Sequence, residues 1–109
     1  MSVTITPDII DGMVKTIVER FDPLAVVLFG SCARGEFTRD SDVDLMVVMP
    51  DGTDQHVSTV AMLRALADAD AAKDILVVTP SVLKRHRTTP GLIYKTILQE
   101  GKTLYERAS

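Results

Sequence analysis

The sequence predicts an α/β or α+β fold, a small β-sheet flanked by helices. Three short apolar runs, at residues 24–29, 43–49 and 75–78, are bounded by proline, glycine or aspartate and read as buried strands. Between and around them lie segments with apolar residues at helical spacing, several opened by a hydroxyl-then-proline start signal. Helical and strand patterns alternating along a short chain leave a sheet covered by helices as the economical arrangement.

The elements follow in order. Thr6-Pro7 offers a capping hydroxyl and then proline at the first helical position, and Ile9, Ile10, Met13, Ile17 and Val18 recur at helical spacing up to Phe21. Asp22-Pro23 closes that helix, because the residue before proline resists helical dihedrals. Leu24 to Phe29 is the first strand and ends at Gly30. Val43 to Met49 is the second, stopped by Pro50-Asp51-Gly52. From Thr53 to about Ala69 a helix is expected, with Val57, Val60, Ala61, Leu63, Leu66 and Ala67 as its apolar face. Ile75 to Val78, rich in β-branched residues, is the third strand. Thr79-Pro80 and Thr89-Pro90 repeat the start signal, opening a short helix and then a helix over Gly91 to Glu100, with Gly101 as the stop. Thr103-Leu104-Tyr105 suits a last short strand.

At 109 residues the chain is expected to be one domain, 1–109, and can bury roughly two-thirds of the surface its unfolded form exposes. Hydrophobic residues are 46% and charged residues 25%, a balance that excludes a disordered chain. The net charge of −3 argues against a general nucleic-acid surface, and no direct DNA binding is expected. No charged-then-apolar leader and no long apolar run is visible, so neither export nor membrane spanning is expected. A single cysteine, Cys32, allows no internal disulfide and fits a reducing compartment, which makes the cytoplasm the expected location.

Chemistry concentrates in residues 29–45, FGSCARGEFTRDSDVDL. Gly30-Ser31 follows a buried strand, and Cys32-Ala33-Arg34 suits the start of a short helix capped by Ser31. Glycine permits close backbone approach, free N–H groups and the serine hydroxyl donate, and Arg34 lies one turn on, so the turn can take a phosphate. Such a junction is most often only a turn. The P-loop and dinucleotide glycine patterns are both missing.

Asp42 and Asp44 stand at the start of the second strand, where positions i and i+2 share a face about 7 Å apart. Like charges held together call for a cation. Carboxylates of this kind bridge the paired divalent ions, about 3.5–4 Å apart, of many phosphoryl-transfer sites, and hard oxygen ligands favour magnesium or manganese. His56 and His86 lack partners at zinc-ligand spacing. An Asp-x-Asp at a strand edge is commonly plain solvated surface. Asp74, immediately before the third strand, shifts that balance, since it reaches the same sheet end if its strand neighbours that of Asp42.

These residues together make the sequence similar to the nucleotidyltransferase superfamily related to DNA polymerase β, in its minimal nucleotidyltransferase (MNT) branch. The pattern G-S-x-A-R-G followed by S-D-x-D-L matches at Gly30, Ser31, Ala33, Arg34, Gly35, Ser41, Asp42, Asp44 and Leu45. DILVVTP from Asp74 and GKTLYER from Gly101 extend the resemblance over nearly the whole chain. It implies a small mixed sheet flanked by helices and magnesium-dependent transfer of a nucleoside monophosphate from an NTP, with release of pyrophosphate. Carried over, Gly30 and Ser31 hold the triphosphate with Arg34 assisting. Asp42 and Asp44 bind two Mg2+ ions, Mn2+ being the alternative. Asp74 binds the catalytic metal and serves as general base. The acceptor is not given by these motifs. In this branch the usual partner resembles a HEPN-type ribonuclease, the two acting as toxin and antitoxin, with AMP from ATP attached to the toxin. A chain this short leaves room for a homo- or hetero-oligomer. Two other readings compete: a non-catalytic antitoxin that blocks its partner sterically, and a nucleotide sensor without turnover.

Other features have plainer readings. Lys84-Arg85-His86-Arg87 fits the solvated end of a helix, favourable against its dipole, with contact to a nucleotide or an acidic partner as the alternative. Cys32 reads as a small filler, the five methionines as core, and Tyr94 and Tyr105 as packing residues with a wet hydroxyl.

Overall fold

The computed structural model describes residues 7–35, 42–69, 71–86 and 93–108. Helix α1 spans Pro7–Phe21, strand β1 Ala25–Phe29, the short helix α2 Gly30–Ala33, and β2 Val43–Val48. Helix α3 spans Gln55–Ala65, β3 Lys73–Val78, α4 Pro80–His86, α5 Ile93–Glu100 and β4 Lys102–Glu106. The expected Thr6 cap, the Thr89-Pro90 start signal, Met1, Ser41, Arg87 and the side chain of Tyr94 lie outside the described residues.

The four strands form one mixed sheet in the order β3-β2-β1-β4. β1 pairs antiparallel with β2 and with β4, while β2 and β3 run parallel, joined across the sheet by α3. The expected α/β sheet flanked by helices is therefore present, with β1 and β2 at its centre. On one face Val26, Leu28, Val43, Leu45, Val47, Ile75 and Val77 pack with Ile10, Met13 and Ile17 of α1 and Met62 of α3. On the other, Met46, Val48 and Val78 pack with Ile97 of α5 and Leu83 of α4. Covering on both faces is why β2 reads as a continuous apolar run and not as an alternating one. Met13, Met46, Met49 and Met62 are all core residues, as expected.

Local signals explain the element ends. Asp22 adopts a left-handed conformation (φ +48°) and its N–H reaches the Val18 carbonyl at 3.2 Å, so α1 stops just before Pro23. Arg107 fastens this corner, pairing with the Asp22 carboxylate at 3.2 Å and joining the C-terminal end of β4 to the end of α1. Thr79 caps α4 as predicted, its Oγ1 accepting from the Val82 N–H at 3.4 Å, and the Asp51 carboxylate accepts from the Ser81 N–H at 3.0 Å. Gly101 stops α5 by another route than a left-handed turn. A Cβ there would collide with the Ile97 carbonyl, sit 2.7 Å from Val27 Cγ1 and 3.3 Å from the Leu28 carbonyl. Glycine lets the chain leave the helix in contact with β1.

Helix α3 corrects two expectations. It starts at Gln55 with Asp54 as cap, the carboxylate accepting from the Val57 N–H at 2.9 Å, and it ends at Ala65. Its apolar face is only partly the one read from spacing: Leu66 is buried as expected, but Val57 is 62% exposed, Val60 and Leu63 are 37% exposed, and the buried Met62 was not part of that face. The helix carries two apolar stripes, and the one containing Met62 turns inward. Gln55 is consistent with this rotation, its side chain donating to the Val77 carbonyl of β3 at 2.8 Å. No helix among the described residues is long and apolar enough to cross a membrane.

Candidate active site

The last residue of β1, Phe29, is the register partner of Asp44 on β2, and Asp44 in turn is the register partner of Asp74 on β3. Three adjacent strands thus bring the Gly-Ser turn and two carboxylates into a row at one sheet end. Asp74 is the second residue of β3 and not, as expected, a loop residue ahead of it. Pairing with β2 extends β3 back to Lys73, whose ammonium donates to the Ala69 and Ala71 carbonyls at 3.0 and 3.1 Å. Because Val43, Leu45 and Ile75 are buried toward α1 and α3, alternation turns Asp44 and Asp74 to the opposite face, the side of α4 and α5.

Gly30 sits directly against Asp44. Its φ is +74°, and a Cβ at this position would overlap the Asp44 carboxylate, with the carboxyl carbon at 3.3 Å. The glycine is needed both for a left-handed turn and for room beside the acid. Ser31 is not the cap of α2, contrary to expectation. Phe29 occupies that position without a side-chain cap, because the positive φ of Gly30 turns the chain into the helix one residue early. Ser31 is then half-buried within α2, and its carbonyl accepts from the Arg34 N–H at 3.1 Å. Gly35, at φ +79°, ends this turn.

Asp42 is exposed, just before β2. Its main chain is tied to α2 by Cys32, whose buried thiol donates to the Asp42 carbonyl at 3.3 Å. Burial first, then the charges of Asp44 and Asp42, push the Cys32 thiol up, and the Ser31 side chain opposes this only in part. A thiol kept protonated is a donor and a filler, not a nucleophile.

Asp44 carries the electrostatic strain of the site. Desolvation by burial, then the Asp74 charge, then the Asp42 charge raise its carboxyl above the usual value. A divalent cation would reverse each of these effects, and an all-oxygen donor set fits magnesium or manganese. Among the described residues no three His, Cys, Asp or Glu side chains are already drawn together tightly enough to hold a metal ion. Asp44 and Asp74 are abreast, and Asp42 is two residues from Asp44, so the acids are neighbours without forming a closed shell.

Beside Asp44 opens a cavity of about 230 Å³, walled by Gly30, Arg34 and Asp44 on the sheet side and by Thr96, Ile97 and Glu100 of α5. Spacing alone singled out Gly30, Arg34 and Asp44 but not Thr96 or Glu100. Their only mark in the sequence is an i, i+4 polar pair just ahead of Gly101. Lys84 and Arg85 are exposed at the end of α4 and are not among the residues lining this cavity.

Comparison with known proteins adds family and fold. The chain resembles the structure of a candidate nucleotidyltransferase from Sulfolobus solfataricus, at 18% identity over 92% of this chain and 79% of that one, TM-score 0.63. It also resembles a chain of a toxin-antitoxin complex with AMP-PNP (21% identity, 89% and 73% covered, TM-score 0.67). A chain of the MntA-HepT toxin-antitoxin is similar at 15% identity, with 94% and 74% covered and TM-score 0.60. No curated protein matches the sequence. At these identities the solved structures establish the shared fold. A family model described as "Nucleotidyltransferase domain" matches residues 10–107, nearly the whole of the chain, and the chain therefore belongs to the nucleotidyltransferase domain family.

Proposed function

We propose that this single-domain chain transfers a nucleoside monophosphate, AMP from ATP, to a hydroxyl of a partner protein, with two Mg2+ ions bound at the carboxylates. The observation that carries this reading is the packing of Gly30 onto the Asp44 carboxylate with Asp74 abreast, which puts a phosphate turn beside an oxygen-only acid set. The Gly30-Ser31 turn binds the triphosphate, and Arg34 supplies positive charge from the end of α2. Asp42 and Asp44 hold the ions. Asp74, at the edge of the row, takes the proton from the acceptor hydroxyl as its oxygen bonds to the α-phosphorus. The bond from that phosphorus to the bridging oxygen breaks, and pyrophosphate leaves. Bound divalent ions neutralise the phosphate charge that an acidic protein would otherwise repel.

The partner is read as a HEPN-type toxin and the chain as its cytoplasmic antitoxin. This is supported by the resemblance of the motifs and by the toxin-antitoxin complexes among the similar folds. The test is co-expression with the protein encoded alongside, followed by mass spectrometry of that partner and assay with labelled ATP. An added AMP that disappears in Asp44→Asn and Asp74→Asn is the expected result. Neutralisation that persists in both variants without any added AMP would instead establish a steric antitoxin, and ATP binding without pyrophosphate release would leave a sensor.

A further inference from the structure

The cavity beside Asp44 has a wall for which the transfer chemistry gives no role. Thr96 and Glu100 lie one helical turn apart on α5 and line this space together with Gly30, Arg34 and Asp44, with Phe29 and Ile97 as apolar surfaces. The backbone next to Glu100 is anchored. Gly101 is wedged against β1, its N–H bonded to the Ile97 carbonyl at 2.7 Å, and Lys102 is already paired with Leu28. The Glu100 carboxylate makes no hydrogen bond or ion pair with another described residue. It is an exposed acceptor at the rim of a mainly apolar cavity that Arg34 also lines.

The identity of the occupant follows from sign and size. A carboxylate repels phosphate, so Glu100 does not serve the triphosphate that the Gly30 turn takes. It accepts hydrogen bonds only, and so can serve the donor groups of a ligand. The space, about 230 Å³, is below the roughly 300–1,000 Å³ of a site that encloses a whole ligand, so it fits one unit of a nucleotide. The unit joined directly to the α-phosphate is the ribose, whose hydroxyls are donors on a largely apolar ring. Carboxylate-to-ribose hydrogen bonds serve this purpose in other nucleotide folds. We propose that the α5 wall is the ribose subsite, with Glu100 accepting from the sugar hydroxyls and Thr96 assisting, and that it makes the protein select ribonucleotides. This rests on the nucleotide-transfer reading above.

The test is calorimetric binding of ATP, 2′-deoxyATP and 3′-deoxyATP to the full chain with Mn2+ and no acceptor. Wild-type protein is expected to bind ATP roughly tenfold or more tighter than at least one deoxy analogue, the effect of losing a hydrogen bond to a charged acceptor. In Glu100→Ala that ratio is expected to fall toward one, in Glu100→Gln to an intermediate value, and in Thr96→Val to change less. Glu100 is exposed, so folding is preserved, and circular dichroism of each variant checks it. A ratio unchanged in Glu100→Ala overturns the ribose subsite, as does a wild-type protein that binds all three nucleotides alike. Weaker Mn2+ binding in Glu100→Gln with the ratio intact also overturns it, making Glu100 a metal ligand. Failure of wild-type protein to bind ATP at all would remove both this subsite and the transfer reading.

Discussion

Asp44 and Asp74 stand abreast on parallel strands, register partners whose charges meet on the same face of the sheet. Burial and then this neighbour, with Asp42 behind it, hold the Asp44 carboxyl above its ordinary value of 3.8. A carboxyl raised on folding binds protons as the chain folds, so stability declines as pH rises from the unfolded value through the raised one. In metal-free protein at pH 7, Asp44→Asn should therefore raise the Tm, by on the order of 1–3 °C for a group only partly buried. The gain should shrink toward about pH 4. Transfer activity should fall by roughly a hundredfold or more in the same variant. Scanning fluorimetry with and without Mg2+ checks this, and a lower Tm in the metal-free variant would count against like-charge strain.

Gly30 and Gly35 allow the crowding at the turn to be separated from its backbone strain. Both have positive φ, but only Gly30 lies against another group, whereas a Cβ on Gly35 meets nothing within 4 Å. Gly35→Ala should cost about 1–2 kcal/mol from strain alone and leave most activity. Gly30→Ala should cost more and displace the Asp44 carboxylate, so that activity falls more than stability does. Urea unfolding paired with transfer assays gives both numbers. Equal effects on activity would remove the special role of Gly30.

Asp51 gives a pH effect of the opposite sign. Its carboxyl is held below the ordinary 3.8 by the Ser81 backbone N–H, then by the Ser81 and Thr79 side chains. The stability it contributes is present above about pH 4 and is lost as pH falls through the depressed value. Asp51→Ala should thus melt earlier than wild type at pH 7, with the two curves converging in acid. Melts across that range decide it: a gap that persists at low pH would point to lost packing and not to the charged cap.

Helix α3 can be tested by neighbouring truncations. Met62→Ala, at a fully buried position, should cost about 2–5 kcal/mol. Leu63→Ala, at a 37% exposed one, should cost less than roughly 1 kcal/mol. Chemical denaturation of the two proteins would reverse the rotation of the helix if Leu63 proved the costlier.

That helix marks the limit of what the sequence made legible. Strands β1, β2 and β3 could be read because apolar runs between proline, glycine and aspartate have few alternatives. The stop at Asp22 and the cap at Thr79 work through contacts within a few residues. The site row was legible for the same reason: Gly30, Asp42, Asp44 and Asp74 sit at strand ends, and a strand end says where its neighbours must arrive. The rotation of α3 was not, because Val57, Val60 and Leu63 form as good an apolar stripe as the one with Met62. The choice between them rests on long-range packing of Met62 and Leu66 into the core, with the bond from Gln55 to Val77 beside it. Thr96 and Glu100 were hidden for a similar reason. Nothing local distinguishes them until α5 is folded back against the turn.

The parallel pairing of β2 with β3 also sets the order in which the molecule can assemble. Phe29 and Asp44 meet across 15 residues of sequence, whereas Asp44 meets Asp74, 30 residues on, only after the whole α3 crossover is in place. Contacts between distant parts of a chain form late and slowly. The step that adds β3 to β2 is then the same step that crowds the acids, and repulsion is expected to act on the barrier to that step. Refolding in chelator should be slower than refolding in dilute Mg2+, and Asp74→Asn should erase most of that difference in a stopped-flow trace. The carboxylates crowded at this sheet end are thus expected to make the concentration of free divalent ions a control on how fast a newly made chain becomes native.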